Sequence, residues 1–147
     1  MGKKAGGFIT EEIRQKGKRV GFNIRTIPEG KTGLLARIRF SSPYRVGKYG
    51  VDIRALEELG CRAVLRAKAS GNLIIVDEIG KMELYSEKFR FSVIEILDSP
   101  NKVIATIMQS PDEFADKTKK RPDVEVFFLT RQNFDETFKG ILRWLDK

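Results

Sequence analysis

Two acids follow four apolar residues in Leu73-Ile74-Ile75-Val76-Asp77-Glu78. This is a Walker B pattern. A buried strand that ends in a carboxylate can hold magnesium at its tip, directly or through water. The next residue, Glu78, can orient or deprotonate an attacking water. Neighbouring side chains on a strand point to opposite faces, so the strand must end or bend for both to serve one site. Gly80 supplies a place for that break. The same pattern also describes an ordinary buried strand running into a polar loop. Charge density separates the two readings: residues 77–84, Asp77-Glu78-Ile79-Gly80-Lys81-Met82-Glu83-Leu84, carry three acids and a lysine. Lys81 is therefore a candidate catalytic cation beside Glu78, with Asp77 as the candidate metal ligand.

Other side chains are candidates for the same chemistry. Thr106, in Lys102-Val103-Ile104-Ala105-Thr106-Ile107-Met108, is either a sensor of a terminal phosphate or a strand hydroxyl satisfied by its neighbours. In Arg45-Val46-Gly47-Lys48-Tyr49-Gly50-Val51, Arg45, Lys48 and Tyr49 are candidates for nucleotide contact, through phosphate or base. Gly47 and Gly50 equally suit a tight loop with no ligand. Glu11 and Glu12 are either site residues or exposed strand-end carboxylates.

Composition narrows the chemistry. The chain of 147 residues has no histidine and a single cysteine, Cys61. Zinc sites of the Cys/His kind, serine–histidine hydrolysis and an internal disulfide are excluded. Catalysis must rest on carboxylates, hydroxyls, lysines, arginines or a hard metal. The net charge of +8 is uneven: residues 1–71 hold 16 bases against 6 acids, and residues 72–147 hold 12 against 14. An excess of this kind attracts nucleotides, nucleic acid or simple counterions. No apolar run approaches the ~20 residues of a membrane span. The N-terminus lacks the apolar stretch of a signal peptide, so a cytoplasmic protein is expected.

These residues need elements to position them. Residues 18–27 alternate with period two, Val20, Phe22 and Ile24 opposite Arg19, Asn23 and Arg25. Residues 32–40 do the same, with Arg37 and Arg39 on the polar side, and Pro28-Glu29-Gly30 is turn chemistry. The pattern predicts a basic β-hairpin over 18–40, then a loop. A helix over 52–69 follows, capped by Asp52, with Ile53, Leu56, Leu59, Ala63, Val64 and Ala67 on one face. From residue 72 to 147 short apolar runs alternate with helices. Runs 73–76, 102–108 and 124–129 precede helices near 86–98, 111–120 and 134–146. Asn133 and Glu136 form a capping-box-like start to the last helix. Its phenylalanines and Trp144 are expected in the core. Strands apolar on both faces, each followed by a helix, predict a parallel sheet covered on both sides. One domain, 1–147, is expected. Ligands of such sheets bind beyond the carboxyl ends of the strands, where Asp77 falls.

The sequence resembles the thermophile-type (cancer-related) nucleoside-triphosphatases. The resemblance rests on Gly6-Gly7-Phe8-Ile9-Thr10-Glu11-Glu12, Gly17-Lys18-Arg19-Val20-Gly21-Phe22, Arg45 to Val51, residues 77–84 with Ser86 and Phe89, and Ala105-Thr106. These occur in family order. The resemblance implies an α/β fold of the P-loop NTPase kind, a three-layer sandwich with a mostly parallel sheet and an added antiparallel hairpin. It implies magnesium-dependent hydrolysis of nucleoside triphosphates (ATP, GTP and others) to diphosphates. It also makes Asp77 and Glu78 the Walker B pair. The family tends to have Asn-Arg where this chain has Asn133-Phe134.

The family's phosphate loop, Walker A, precedes the Gly-Gly-Phe strand. The only Gly-Lys-Thr here, Gly30-Lys31-Thr32, fails the pattern: Arg25 stands where its first glycine belongs. It also joins two period-two segments, whereas a phosphate loop joins a strand to a helix. The expectation is a chain with Walker B but without the P-loop strand and helix. Nucleotide affinity and hydrolysis are then impaired, and an open sheet edge favours self-association. The alternative is a degenerate NTPase scaffold that binds nucleic acid or protein through its basic N-terminal half, with Arg19, Arg25, Arg37 and Arg39 facing the partner. No recognised nucleic-acid-binding motif accompanies that face, and the acidic cluster has no use in it.

Overall fold

The computed structural model describes residues 4–147, which divide into two compact units at Ser110 and Pro111. In the first unit one sheet holds β1 (Ala5–Gln15), β2 (Lys18–Ile27), β3 (Thr32–Ile38), β4 (Arg45–Val46), β5 (Tyr49–Val51), β6 (Leu73–Ile79) and β7 (Val103–Ile107). Their order is β4-β5-β3-β2-β1-β6-β7. Only β1–β6 and β6–β7 are parallel; β1–β2, β2–β3, β3–β5 and β4–β5 are antiparallel. The sheet is therefore mixed, not mostly parallel. The reason is local: strands joined by tight turns must reverse direction. The β1–β2 turn is Lys16-Gly17, both at positive φ (52° and 76°), the conformation that matches the twist of a two-residue hairpin. The segment expected as a loop after the hairpin contains the β4–β5 ribbon instead.

β2 and β3 pair antiparallel across a tight turn, and the second strand stops at Ile38, short of the expected residue 40. The Thr26 N–H donates to the Lys31 carbonyl at 2.8 Å, and the Lys31 N–H donates to Thr26 Oγ1 at 3.0 Å. Gly30 takes φ +74°. Gly30-Lys31-Thr32 thus closes a turn and runs into a strand. Two of the face's arginines are already paired: Arg25 with Glu11 at 2.5 Å, and Arg19 with Glu12 at 3.4 Å.

The predicted helix after the ribbon is one rod in three segments: α1 (Ile53–Ala55), a wide π-turn over Leu56–Cys61, and α2 (Arg62–Ala69). Asp52 caps it, Oδ1 accepting the Ala55 N–H at 3.0 Å. Cys61 lies buried in the wide turn. This rod and α3 (Glu87–Leu97) pack on the face of the sheet that carries Gly6, Phe8 and Ile24. Gly6 is needed there, because a Cβ would lie 2.6 Å from that of Ala67. Phe8 and Phe89 meet edge to face, ring centroids 6.1 Å apart. Phe8, Ile24, Leu35, Leu56, Ile74, Val76, Phe89 and Ile96 form the buried core. Along β6, Ile74 and Val76 are buried, while Ile75 and Asp77, pointing the other way, are only half-buried. β7 has no buried residue. Within this unit the rod and α3 lie on one face of the sheet.

The second unit holds α4 (Glu113–Lys119) and α5 (Phe134–Leu145). Asp112 caps α4 through the Ala115 N–H at 2.9 Å. Residues 124–129, expected as a strand, pair with no strand among the described residues and lie mostly exposed. β-rich composition makes a strand only where a neighbour accepts its hydrogen bonds. Asn133 does not cap α5: its Oδ1 accepts the Thr130 N–H at 2.7 Å and its amide donates to the Phe128 carbonyl. The apolar stripe of α5 is not core either. Phe134, Phe138, Leu142 and Trp144 are exposed, with the Phe134 and Phe138 rings stacked 6.3 Å apart. A concavity at the start of α5 is lined by Leu129, Thr130, Arg131, Phe134 and Asp135. No helix among the described residues is long and apolar enough to cross a membrane.

Candidate functional site

The parallel register pairs Val76 with Phe8 on one side and with Ala105 on the other. Asp77 therefore lies where three parallel strands end or break step. The β6–β7 register slips between Val76 and Ile79, and the peptide between Asp77 and Glu78 is cis. The break that the sequence required lies at the acids themselves, ahead of Gly80.

The slip leaves Asp77 facing the next strand. Thr106 Oγ1 donates to Asp77 Oδ1 at 2.6 Å. This brings together two residues that the sequence nominated separately. Glu78 is exposed at the same tip. Partial burial, and then the charge of Asp77, push its carboxyl above the usual range. Lys81 is exposed, and no ion pair engages it among the described residues.

The chain then folds back. The Leu84 N–H donates to the Gly80 carbonyl at 2.9 Å, closing a turn into a short 3-10 segment, Glu83–Tyr85. Glu83 is 3% exposed. Burial raises its carboxyl to about 8, with the charges of Glu78 and Asp77 adding and the amides of Glu83 and Gly80 opposing. The sequence singled out this acid only as part of a dense cluster. Its signal was position: Glu83 stands between Met82 and Leu84, in a turn that apolar neighbours pull inward.

The ribbon of β4 and β5 reaches this turn. Tyr85 donates its hydroxyl to the Arg45 carbonyl at 2.5 Å, and the rings of Tyr44 and Tyr85 lie 5.4 Å apart. The three ribbon residues divide. Arg45 donates to the carbonyls of Phe40 at 3.3 Å and Lys48 at 3.0 Å, tying the ribbon together. Tyr49 is 7% exposed. Its ring meets Phe22 edge to face and its hydroxyl accepts from Arg19 Nε at 3.1 Å. Lys48 is exposed, its ammonium 5.7 Å from the Tyr49 ring centre.

Magnesium keeps most of its waters and takes one or two carboxylates plus substrate phosphates. A single half-buried Asp77, braced by a hydroxyl and backed by Glu78, fits that donor set. A protein-built cage does not arise, since no group of three or more Asp, Glu, Cys or His among the described residues could hold a metal.

A hydrophobic parallel strand that ends in an acid pair, braced from the next parallel strand, is an α/β arrangement with its acids where ligands of such sheets bind. The chain belongs to the NTPase family, whose model matches residues 1–142. It is similar to the nucleoside-triphosphatase THEP1 of Thermotoga petrophila, 54% identical over 138 residues that cover 94% of this chain and 76% of that protein. It is 39% identical to the THEP1 of Methanocaldococcus jannaschii over 143 residues, covering 97% and 80%. The crystal structure of THEP1 from the hyperthermophile Aquifex aeolicus matches with a TM-score of 0.86 at 38% identity, over 99% of this chain and 86% of that one. The solution structure of a human cancer-related nucleoside triphosphatase matches at 0.79 and 32%, over 96% and 81%.

Proposed function

We propose that this protein hydrolyses nucleoside triphosphates to diphosphates and phosphate, with Asp77 and Glu78 acting as a Walker B pair. The observation that carries the reading is the 2.6 Å hydrogen bond from Thr106 to Asp77 at the adjoining ends of β6 and β7. It fixes one carboxylate oxygen and leaves the other for a magnesium ion or its water. Magnesium, when bound, neutralises phosphate charge and so eases attack at phosphorus. Glu78, with its pKa raised, is the base that orients water and takes its proton as the new P–O bond forms and the diphosphate leaves. Lys81 and Lys48 offer charge to the phosphate oxygens. Arg45 and Tyr49 brace the ribbon that presents Lys48.

Asp77 is one metal contact, and backbone N–H groups of a phosphate loop supply most of the grip in enzymes of this kind. These 147 residues contain no GxxxxGK[ST]. We therefore assign them the metal-and-water half of the site and weak nucleotide affinity by themselves. The test is titration of the chain with a fluorescent ATP analogue and magnesium, beside Asp77→Ala. Weak, magnesium-dependent binding lost in Asp77→Ala is expected. Binding untouched by Asp77→Ala overturns the metal assignment, and micromolar binding by the unaltered chain overturns the claim of weak affinity.

A further inference from the structure

We propose that Gly80 and Glu83 are positioning residues that hold the Glu78 carboxylate over the strand tip. The inference rests on Glu78 being the base. The space around Gly80 shows the device. A Cβ built on Gly80 would lie 2.9 Å from Glu78 Cδ, 3.0 Å from Glu78 Cγ and 3.1 Å from Glu83 Oε1. Both side chains therefore border the space that a Cβ on Gly80 would fill. Gly80 is not there for its backbone angles, since its φ is not positive. It is there because any side chain would occupy the place where Glu78 lies.

Glu83 forms the fixed wall of this space. Its carboxyl is 3% exposed, beside the amides of Gly80 and of Glu83 itself, which work against the rise that burial causes in its pKa. No buried side-chain polar atom among the described residues lacks a partner. The backbone around it is fixed as well. Leu84 returns its N–H to the Gly80 carbonyl, Ser86 returns its N–H to the Glu83 carbonyl at 3.0 Å, and Arg90 donates to the Leu84 carbonyl. Glu78, by contrast, is exposed, and an exposed glutamate samples several rotamers. Orientation of a general base contributes to rate through the geometry of attack. A glutamine keeps the length of Glu83 and the oxygen that bounds the space at Gly80.

The test compares Glu83→Ala, Glu83→Gln and Gly80→Ala in the purified protein, by steady-state kinetics and by NMR relaxation of the Glu78 side chain. In Glu83→Ala the side-chain order of Glu78 drops, and kcat falls roughly ten- to hundredfold with KM unchanged. Glu83→Gln keeps both near their original values. Gly80→Ala displaces Glu78 and lowers kcat with Glu83 intact. Unchanged Glu78 order in Glu83→Ala, or failure of Glu83→Gln to preserve it, overturns the proposal. The Gln and Gly80 variants decide the question if Glu83→Ala does not fold. Hydrolysis that survives Asp77→Ala counts against the functional reading alone, because the order of Glu78 is measured without turnover.

Discussion

Thr106 and Asp77, 29 residues apart in sequence, are joined by a 2.6 Å hydrogen bond from Oγ1 to Oδ1 at the ends of two parallel strands. Both side chains reach solvent, so the bond serves the site more than the core. A hydrogen bond to a charged group contributes about 1.5–3 kcal/mol. Thr106→Val should lower kcat/KM roughly ten- to hundredfold, while Thr106→Ser keeps most of the activity. A silent Thr106→Val in steady-state assays would leave the hydroxyl as a strand detail.

Glu78 is the second arm of the same tip. Its replacement by glutamine removes the base but keeps the shape. The expected result is a fall in kcat of about 10²–10⁴ with nucleotide affinity preserved. Fluorescent-nucleotide binding measured beside turnover separates this from a general loss of folding. Equal losses in binding and rate would point away from a base.

Glu83 should make stability depend on pH. Its folded value of about 8 lies above the ordinary 4.5, so between those values the native chain holds a proton that the unfolded chain has released. Stability then falls as pH rises through that window. Glu83→Gln removes the dependence. Unfolding free energies from urea titrations at pH 5 and pH 8 should differ by roughly 3–5 kcal/mol more in the unaltered chain than in the Gln variant. Parallel pH profiles for the two proteins would show that Glu83 keeps an ordinary value.

Tyr49 separates two roles for the ribbon. Its hydroxyl accepts from Arg19 and its ring packs on Phe22. Tyr49→Phe should cost about 1 kcal/mol of stability and leave nucleotide binding unchanged. A clear loss of binding in the variant, with the melting temperature held, would restore Tyr49 as a ligand contact.

The sequence made the parts visible more readily than their arrangement. Period two over residues 18–27 and 32–40 was enough for two extended segments, the second ending at Ile38, and Asp52 was enough for the start of the helix. Local chemistry decides both, so both were legible. The 124–129 run failed because a strand depends on a partner, and composition says nothing about who supplies it. Phe138 and Trp144 failed in the same way: an apolar stripe records what a helix can bury, not whether a surface lies against it. In the site, Asp77, Glu78 and Thr106 were readable as residue types at a strand end. Their contact was not, because it depends on the slip between β6 and β7. The enclosure of Glu83 left only a faint trace, its place between Met82 and Leu84, since a buried acid and an exposed one look alike in a string of letters.

The wide turn at Leu56–Cys61 has one more outcome. It carries the chain's only thiol inward, where burial pushes Cys61 up to about 11. Thiol reagents attack the thiolate, so the native protein should be inert to them at neutral pH. Every labelling event then records an opening of the helical rod. The molecule carries a single-site clock for its own unfolding, readable with an aromatic disulfide and a spectrophotometer.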